Sequence, residues 1–305
     1  MRYGPLVFLS AFFAMGASWF GFVLMPHVQV GFLQQTNTLL AGATYPVGRP
    51  GFAREGLDVY RAYGCASCHT EQIGQTATVC DVVLEKVGTN QAVLLNALRN
   101  VRPDLSETQA KSLLDQLPQT VLQGLPKEQA DENAKALSVA GSKATPWIVP
   151  VGPDIARGWG KRRTVAYDFL YDYPVMLGAE RIGPDLSNVG VRQSDPNWHL
   201  RHLYAPQLDV QGSTMPPFRF LFEKRKIERG VSPDALSLPP ELAPPAGYEI
   251  VPKTEAKALV AYLTSLRADA PLFVAPLSVA APPETNAPAG DMSSTNSPAT
   301  NATAK

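Results

Sequence analysis

Five consecutive residues, Cys65-Ala66-Ser67-Cys68-His69, constrain this chain more than anything else in it. Two thiols at this spacing reach the two vinyl groups on one edge of a porphyrin and form thioethers. The next residue then lies under the ring and gives its imidazole to the iron. A chain so marked is expected to fold around an iron porphyrin. The competing readings are a redox Cys-x-x-Cys and half of a zinc site. A redox pair does not need the following His, and a zinc site needs a second ligand pair at matching spacing. The remaining candidates are only Cys80, His27, His199 and His202. The motif therefore predicts one covalent haem c, tethered by Cys65 and Cys68, with His69 on the iron. Cys80 reads as a small buried apolar residue.

The run from Pro5 to Met25, PLVFLSAFFAMGASWFGFVLM, carries no charge. In helix it spans roughly 31 Å, about one hydrocarbon core. Arg2 precedes it and no acid follows until Glu55, which favours a cytoplasmic N-terminus. A cleaved secretory signal is the alternative. The apolar run is long for one, and Leu24-Met25-Pro26-His27 is a poor small-residue cleavage site. The expectation is an uncleaved single-pass anchor in a bacterial inner membrane, contacting lipid through residues 5–25, with the haem domain in the periplasm. Lys plus Arg and Asp plus Glu both number 27, so the chain lacks the basic excess that nucleic acid would favour as a partner.

After the anchor (1–26), residues 27–51 are Gly- and Pro-containing and read as a linker. Phe52, Gly56, Val59, Tyr60 and Tyr63 then recur at helical spacing, and Gly64 ends the helix. Pro252 to Leu266 reads as a second amphipathic helix, with Ala256, Leu259, Val260, Leu263 and Leu266 as its stripe. Together with the haem motif, Gly56, Tyr60, Leu259 and Tyr262 resemble the crossing of N- and C-terminal helices in class I cytochromes c. If the iron has a sixth ligand, the methionines outside the anchor and the C-terminal tail are Met176 and Met215. A Met in a Pro-rich loop well after the motif is the class I arrangement, so the resemblance implies Met215, in Ser213-Thr214-Met215-Pro216-Pro217-Phe218. In Ile182-Gly183-Pro184-Asp185-Leu186 it implies that the Pro184 carbonyl accepts the ring N–H of His69. His199 and His202 are expected on one face of a helix capped by Asp195, as a metal pair, an alternative ligand or a structural pair.

The run Arg157-Gly158-Trp159-Gly160-Lys161-Arg162-Arg163-Thr164, then Gly183 to Leu186, Val189-Gly190, Trp198-His199-Leu200, His202-Leu203-Tyr204 and Ser213 to Pro216 resembles the monohaem subunit of cbb3-type cytochrome c oxidases. That resemblance implies a relay of electrons from a cytochrome c donor to a haem–copper catalytic subunit, beside other cytochrome c subunits. It implies no catalytic residue in this chain itself. The alternatives are the monohaem cytochrome of a nitric oxide reductase, a five-coordinate haem enzyme or gas sensor, and a free shuttle released from the membrane. The expected fold is mainly α: one transmembrane helix and a class I cytochrome c-like domain over 52–275. Residues 76–153 read as a helical insertion, with runs at Val82 to Leu98, after the capping box Ser106/Gln109, and from Pro126. Glu223 to Arg229 reads as a solvated helix end. The basic cluster Arg157, Lys161, Arg162 and Arg163 reads as a partner for haem propionates or for acidic groups, or as a solvated turn. Residues 276–305 have a disordered composition.

Overall fold

The computed structural model describes residues 3–38, 43–49 and 51–272. Arg2, Met292 and the 276–305 tail lie outside the described residues. Helix α1 (Gly4–Trp19), a π-helical turn (Phe20–Leu24) and α2 (Met25–Val30) form one continuous apolar helix. The π turn has a local cause. Pro26 has no N–H and its ring crowds the carbonyl four residues back, so the helix widens just before it, and the Met25 N–H bonds to the Phe20 carbonyl. The helix runs past the expected boundary at Pro26, has a mean hydropathy of 1.9 and none of it is buried. By length and composition it suffices to cross a membrane.

The segment expected as a plain linker is partly ordered onto the body of the protein. Strand β1 (Thr36–Asn37) pairs antiparallel with β2 (Thr44–Tyr45). The Tyr45 hydroxyl donates to Asp168 (2.6 Å), and Arg49 forms a buried ion pair with Asp172.

Helix α3 (Gly51–Ala62) follows and crosses α11 (Thr254–Ser265) near the other end of the described chain. The crossing is close because Gly56 carries no side chain. A Cβ there would lie 1.9 Å from the Ala258 carbonyl oxygen and 2.8 Å from Tyr262 Cβ. Beside it the Tyr60 and Tyr262 rings pack with centroids 5.2 Å apart. Pro252, expected inside this helix, instead ends a strand, and Lys253 is the N-cap. These two helices seed one hydrophobic cluster with Leu57, Leu186, Val189, Leu203, Leu221, Ile250, Leu259 and Leu263.

The insertion is not helical throughout, and the chain as a whole is mixed helix and strand rather than mainly α. Strand β3 (Ala77–Lys86), α4 (Gln91–Val101), α5 (Glu107–Leu114), β4 (Gln119–Leu125), α6 (Lys127–Leu137) and β5 (Lys143–Val151) form an antiparallel sheet in the order β4-β3-β5 with three helices. The run from Val82, expected as helix, starts as strand. Cys80, Val82 and Leu84 alternate onto one face, where Leu94, Leu98, Ala110, Leu114, Ala130 and Leu137 cover them. The capping box at Ser106 and Gln109 is present and starts α5. This second core is separate from the first.

The insertion leaves and rejoins the chain at one place, since the Thr76 N–H bonds to the Val151 carbonyl (3.0 Å) and Ala77 pairs with Val151. Replacing residues 77–151 by a two-residue turn is therefore expected to leave the rest folded, because paired strand ends already sit at hairpin distance. Haem content per chain, by absorbance, should match the full-length protein. A colourless or insoluble product would mean that the two cores are not independent.

Helices α7 (Pro153–Ala156), α8 (Val189–Arg192), α9 (Pro196–Tyr204) and α10 (Pro206–Asp209) complete the helical part. Residues expected as a helix end form strand β6 (Phe222–Lys226), paired antiparallel with β7 (Tyr248–Pro252). Phe222 points into the first core while Arg225 pairs across the strands with Glu249 (2.7 Å), so a charged run is stable as an edge strand.

Candidate functional site

Gly64 takes φ +67° and turns the chain sharply out of α3. Cys65–Ser67 then form a 3₁₀ turn, with the Cys68 and His69 N–H groups both on the Cys65 carbonyl (3.1 and 3.0 Å). Residues three apart on such a turn eclipse one another, so Cys65 and Cys68 share a side. Cys65 is half-buried against the first core and Cys68 is exposed. Burial pushes the Cys65 thiol up to about 11, so the group is neutral at physiological pH. That is the reverse of a redox Cys-x-x-Cys, whose attacking thiol is held low.

His69 is gripped by the Ile182-to-Leu186 loop. Its Nδ1 lies 2.9 Å from the Pro184 carbonyl. The Ile182 and Gly183 N–H groups donate to the Cys68 carbonyl (3.0 and 2.9 Å). A Cβ at Gly183 would lie 2.3 Å from the imidazole Cε1, so glycine is what lets the loop close on the ring. Burial lowers the His69 pKa, and the Pro184 carbonyl opposes that shift. The ring is thus held in the neutral form that a metal requires.

Met215 is half-buried against the same core as Cys65, and so is Met176. The Met215 loop is tied down by the Phe218 N–H on the Leu203 carbonyl (2.8 Å), which connects it to α9. On α9, the Asp195 side chain accepts from the Asn197 N–H as the cap. His199 is buried with Nε2 2.8 Å from the Gln193 carbonyl, a structural arrangement. His202 stacks on Trp198 (4.6 Å) and lies within electrostatic reach of His69. Among the described residues its Nδ1 and the nearby Asp209 Oδ2 are buried without a hydrogen-bond partner, 3.9 Å apart.

The basic cluster does not act as one patch. Arg162 is buried in a two-bond clasp on Asp168 (2.8 and 2.9 Å), while Arg157 lies over Trp159 and Lys161 and Arg163 are exposed. Cys80 is buried in the second core.

One residue had no expectation attached to it. Glu71, two positions after His69, is buried and accepts from the Tyr262 hydroxyl (2.9 Å). It lines a cavity of about 60 Å³ with Tyr45, Arg49, Asp168 and Asp172. Burial first, and then the charge of Asp172, push its carboxyl up to about 8. Its sequence signal was an acid in the short stretch between the motif His and Ile73, a stretch the fold has to cover. The folded protein therefore retains a proton that the unfolded chain releases near 4.5. Stability should fall as pH rises between those two values. Glu71→Gln is expected to flatten the Tm profile between about pH 5 and 8; a profile parallel to wild type would contradict this.

Two stretches of the chain match family models. Residues 147–242 match the family described as cytochrome c oxidase, mono-heme subunit/FixO. That stretch holds the Pro184 loop, α9 and Met215, and supports a cbb3-type oxidase monohaem subunit at family level. Residues 80–145 match the ribosomal protein L7/L12 C-terminal domain. Within the insertion the chain is 40% identical over 62 residues to large ribosomal subunit protein bL12 of Caulobacter vibrioides, covering 20% of this chain and 49% of that protein. The bL12 proteins of Clostridioides difficile (38% over 66 residues, 22% and 54%) and Aquifex aeolicus (33% over 66 residues, 22% and 51%) are also similar. The chain thus spans about half the length of the curated relatives it matches.

The arrangement fits a haem. The residues supply two thiols on one side of a turn, a neutral imidazole held by a carbonyl, and a thioether on the same core. A mono-heme subunit family and one apolar helix are consistent with a membrane-anchored part of an oxidoreductase complex.

Proposed function

We propose that this chain is the electron-transfer subunit of a cbb3-type terminal oxidase. It would carry one covalent haem c, bonded through Cys65 and Cys68 and held by His69 and Met215. Its helix Gly4–Val30 anchors it in the inner membrane, with the haem domain in the periplasm. Held in this way, the haem would supply one-electron transfer. The chain's own residues bury and orient it. Pro184 fixes the tautomer of His69 through Nδ1, which leaves Nε2 as the coordinating nitrogen. No residue performs acid–base chemistry on a substrate, so the reaction belongs to the partner subunit.

The observation that carries this reading is the Pro184–His69 contact. It joins the Cys65–His69 motif, which lies outside the matched stretch, to a loop inside the matched stretch. The test is isolation of the complex from membranes. Haem together with copper in the catalytic partner, and oxygen consumption driven by reduced cytochrome c, support the oxidase. A copper-free partner that reduces nitric oxide would replace it with the nitric oxide reductase reading.

A further inference from the structure

We propose that Asp185 is a positioning residue for the iron ligand His69, acting through the Pro184 carbonyl. This rests on the haem reading above and adds a role which that reading does not contain.

Asp185 is wholly buried. Its Oδ2 accepts from the Thr70 hydroxyl and the Gln72 N–H, both at 2.7 Å, and its Oδ1 accepts from the Ser187 N–H at 2.9 Å. Arg181 lies 3.7 Å from Oδ2. Thr70 directly follows His69, and its carbonyl accepts from the Leu186 N–H at 2.7 Å. The carboxylate therefore clasps the segment that leaves the haem motif to the loop that carries Pro184.

The clasp sits one residue from the carbonyl that holds His69 Nδ1. On the other side of Pro184 the loop is pinned to the Cys68 carbonyl. Pro184 is thus fixed from both flanks, and a carbonyl so fixed sets the orientation of the ring it accepts from. Removing the carboxylate leaves the Gln72 and Ser187 N–H groups without their acceptor, a cost the loop relieves by moving. Any such movement is passed to His69.

The experiment uses the detergent-solubilised full chain. Wild type is denatured first and its covalent haem read by absorbance; absence of covalent haem overturns the haem reading, and this proposal with it. With haem present, solvent exchange of the His69 ring N–H and the midpoint potential are compared for wild type, Asp185→Asn, Asp185→Ala and Thr70→Val. In Asp185→Ala the exchange should quicken and the potential should rise, since a loosened carbonyl donates less electron density through the ring. Asp185→Asn retains one acceptor oxygen but turns an NH2 group towards the other N–H, and should quicken exchange by less than Asp185→Ala. Thr70→Val removes one donor and should quicken exchange by less. Two results overturn the proposal: Asp185→Asn matching Asp185→Ala in exchange, which means charge alone matters, or Asp185→Ala melting lower with unchanged exchange, which means a purely structural role. If Asp185→Ala does not fold, Thr70→Val decides: faster exchange supports the proposal and unchanged exchange overturns it.

Discussion

Met215→Ala is expected to turn a low-spin reduced c-type spectrum into a high-spin one that binds carbon monoxide. Alanine cannot reach an iron that a thioether reaches, and nothing else on the loop offers a soft donor. The loop itself should survive, because Phe218 still bonds to Leu203 and the prolines at 216 and 217 hold the backbone. The half-buried position limits the packing loss to less than the 2–5 kcal/mol or so typical of a buried Met→Ala. Met176→Ala is the control, since Met176 packs on the same core. It should lose comparable packing and keep the low-spin spectrum. A high-spin Met176→Ala beside a low-spin Met215→Ala would exchange the ligand assignment. If wild type itself binds carbon monoxide readily, the five-coordinate enzyme or sensor takes the place of the electron carrier.

Gly56→Ala is expected to be the most damaging glycine-to-alanine change among the described residues. The added Cβ would meet the backbone oxygen of Ala258 at 1.9 Å. A backbone atom cannot rotate away as a side chain can, so α3 and α11 must separate. Overpacking a core costs roughly 1–3 kcal/mol where side chains adjust, and this contact lies at the upper end or beyond. The separation also pulls apart the Tyr60 and Tyr262 rings and loosens Tyr262 from Glu71. The expected result is a Tm many degrees lower by circular dichroism, with the low-spin spectrum lost on mild heating while the haem stays on the chain. Ala53→Gly, on the same helix, serves as a comparison that adds no atoms. A Tm for Gly56→Ala within a degree or two of wild type would show that the two helices do not meet as described.

The parts of this protein legible in its sequence are those set by local rules. The Cys65–His69 spacing, the period of Gly56, Val59 and Tyr60, the capping box at Ser106 and the cap at Asp195 all act within a turn or two of helix. The sheet of the insertion was not legible, for a physical reason. Val79 to Leu84 is apolar at almost every position, because both faces of β3 are largely covered, so the period-two signal is masked. Its pairing with β5 joins residues such as Thr78 and Pro150, which no local pattern connects. Phe222–Lys226 failed in the same way: its charges read as a helix end until β7 supplied a partner. The buried acids Glu71, Asp154 and Asp172 were equally hidden, since each is held by a donor far away in the sequence.

One measurement tests the central claim most directly. The chain is denatured, extracted with acidified organic solvent and run on a denaturing gel, and haem is read by its peroxidase stain and by the mass of the intact polypeptide. The account predicts that the stain follows the band and that the mass exceeds that of the bare chain by one haem, with the excess abolished in the double variant Cys65→Ser, Cys68→Ser. Pigment that leaves with the solvent, and a wild-type chain of unmodified mass, would contradict it.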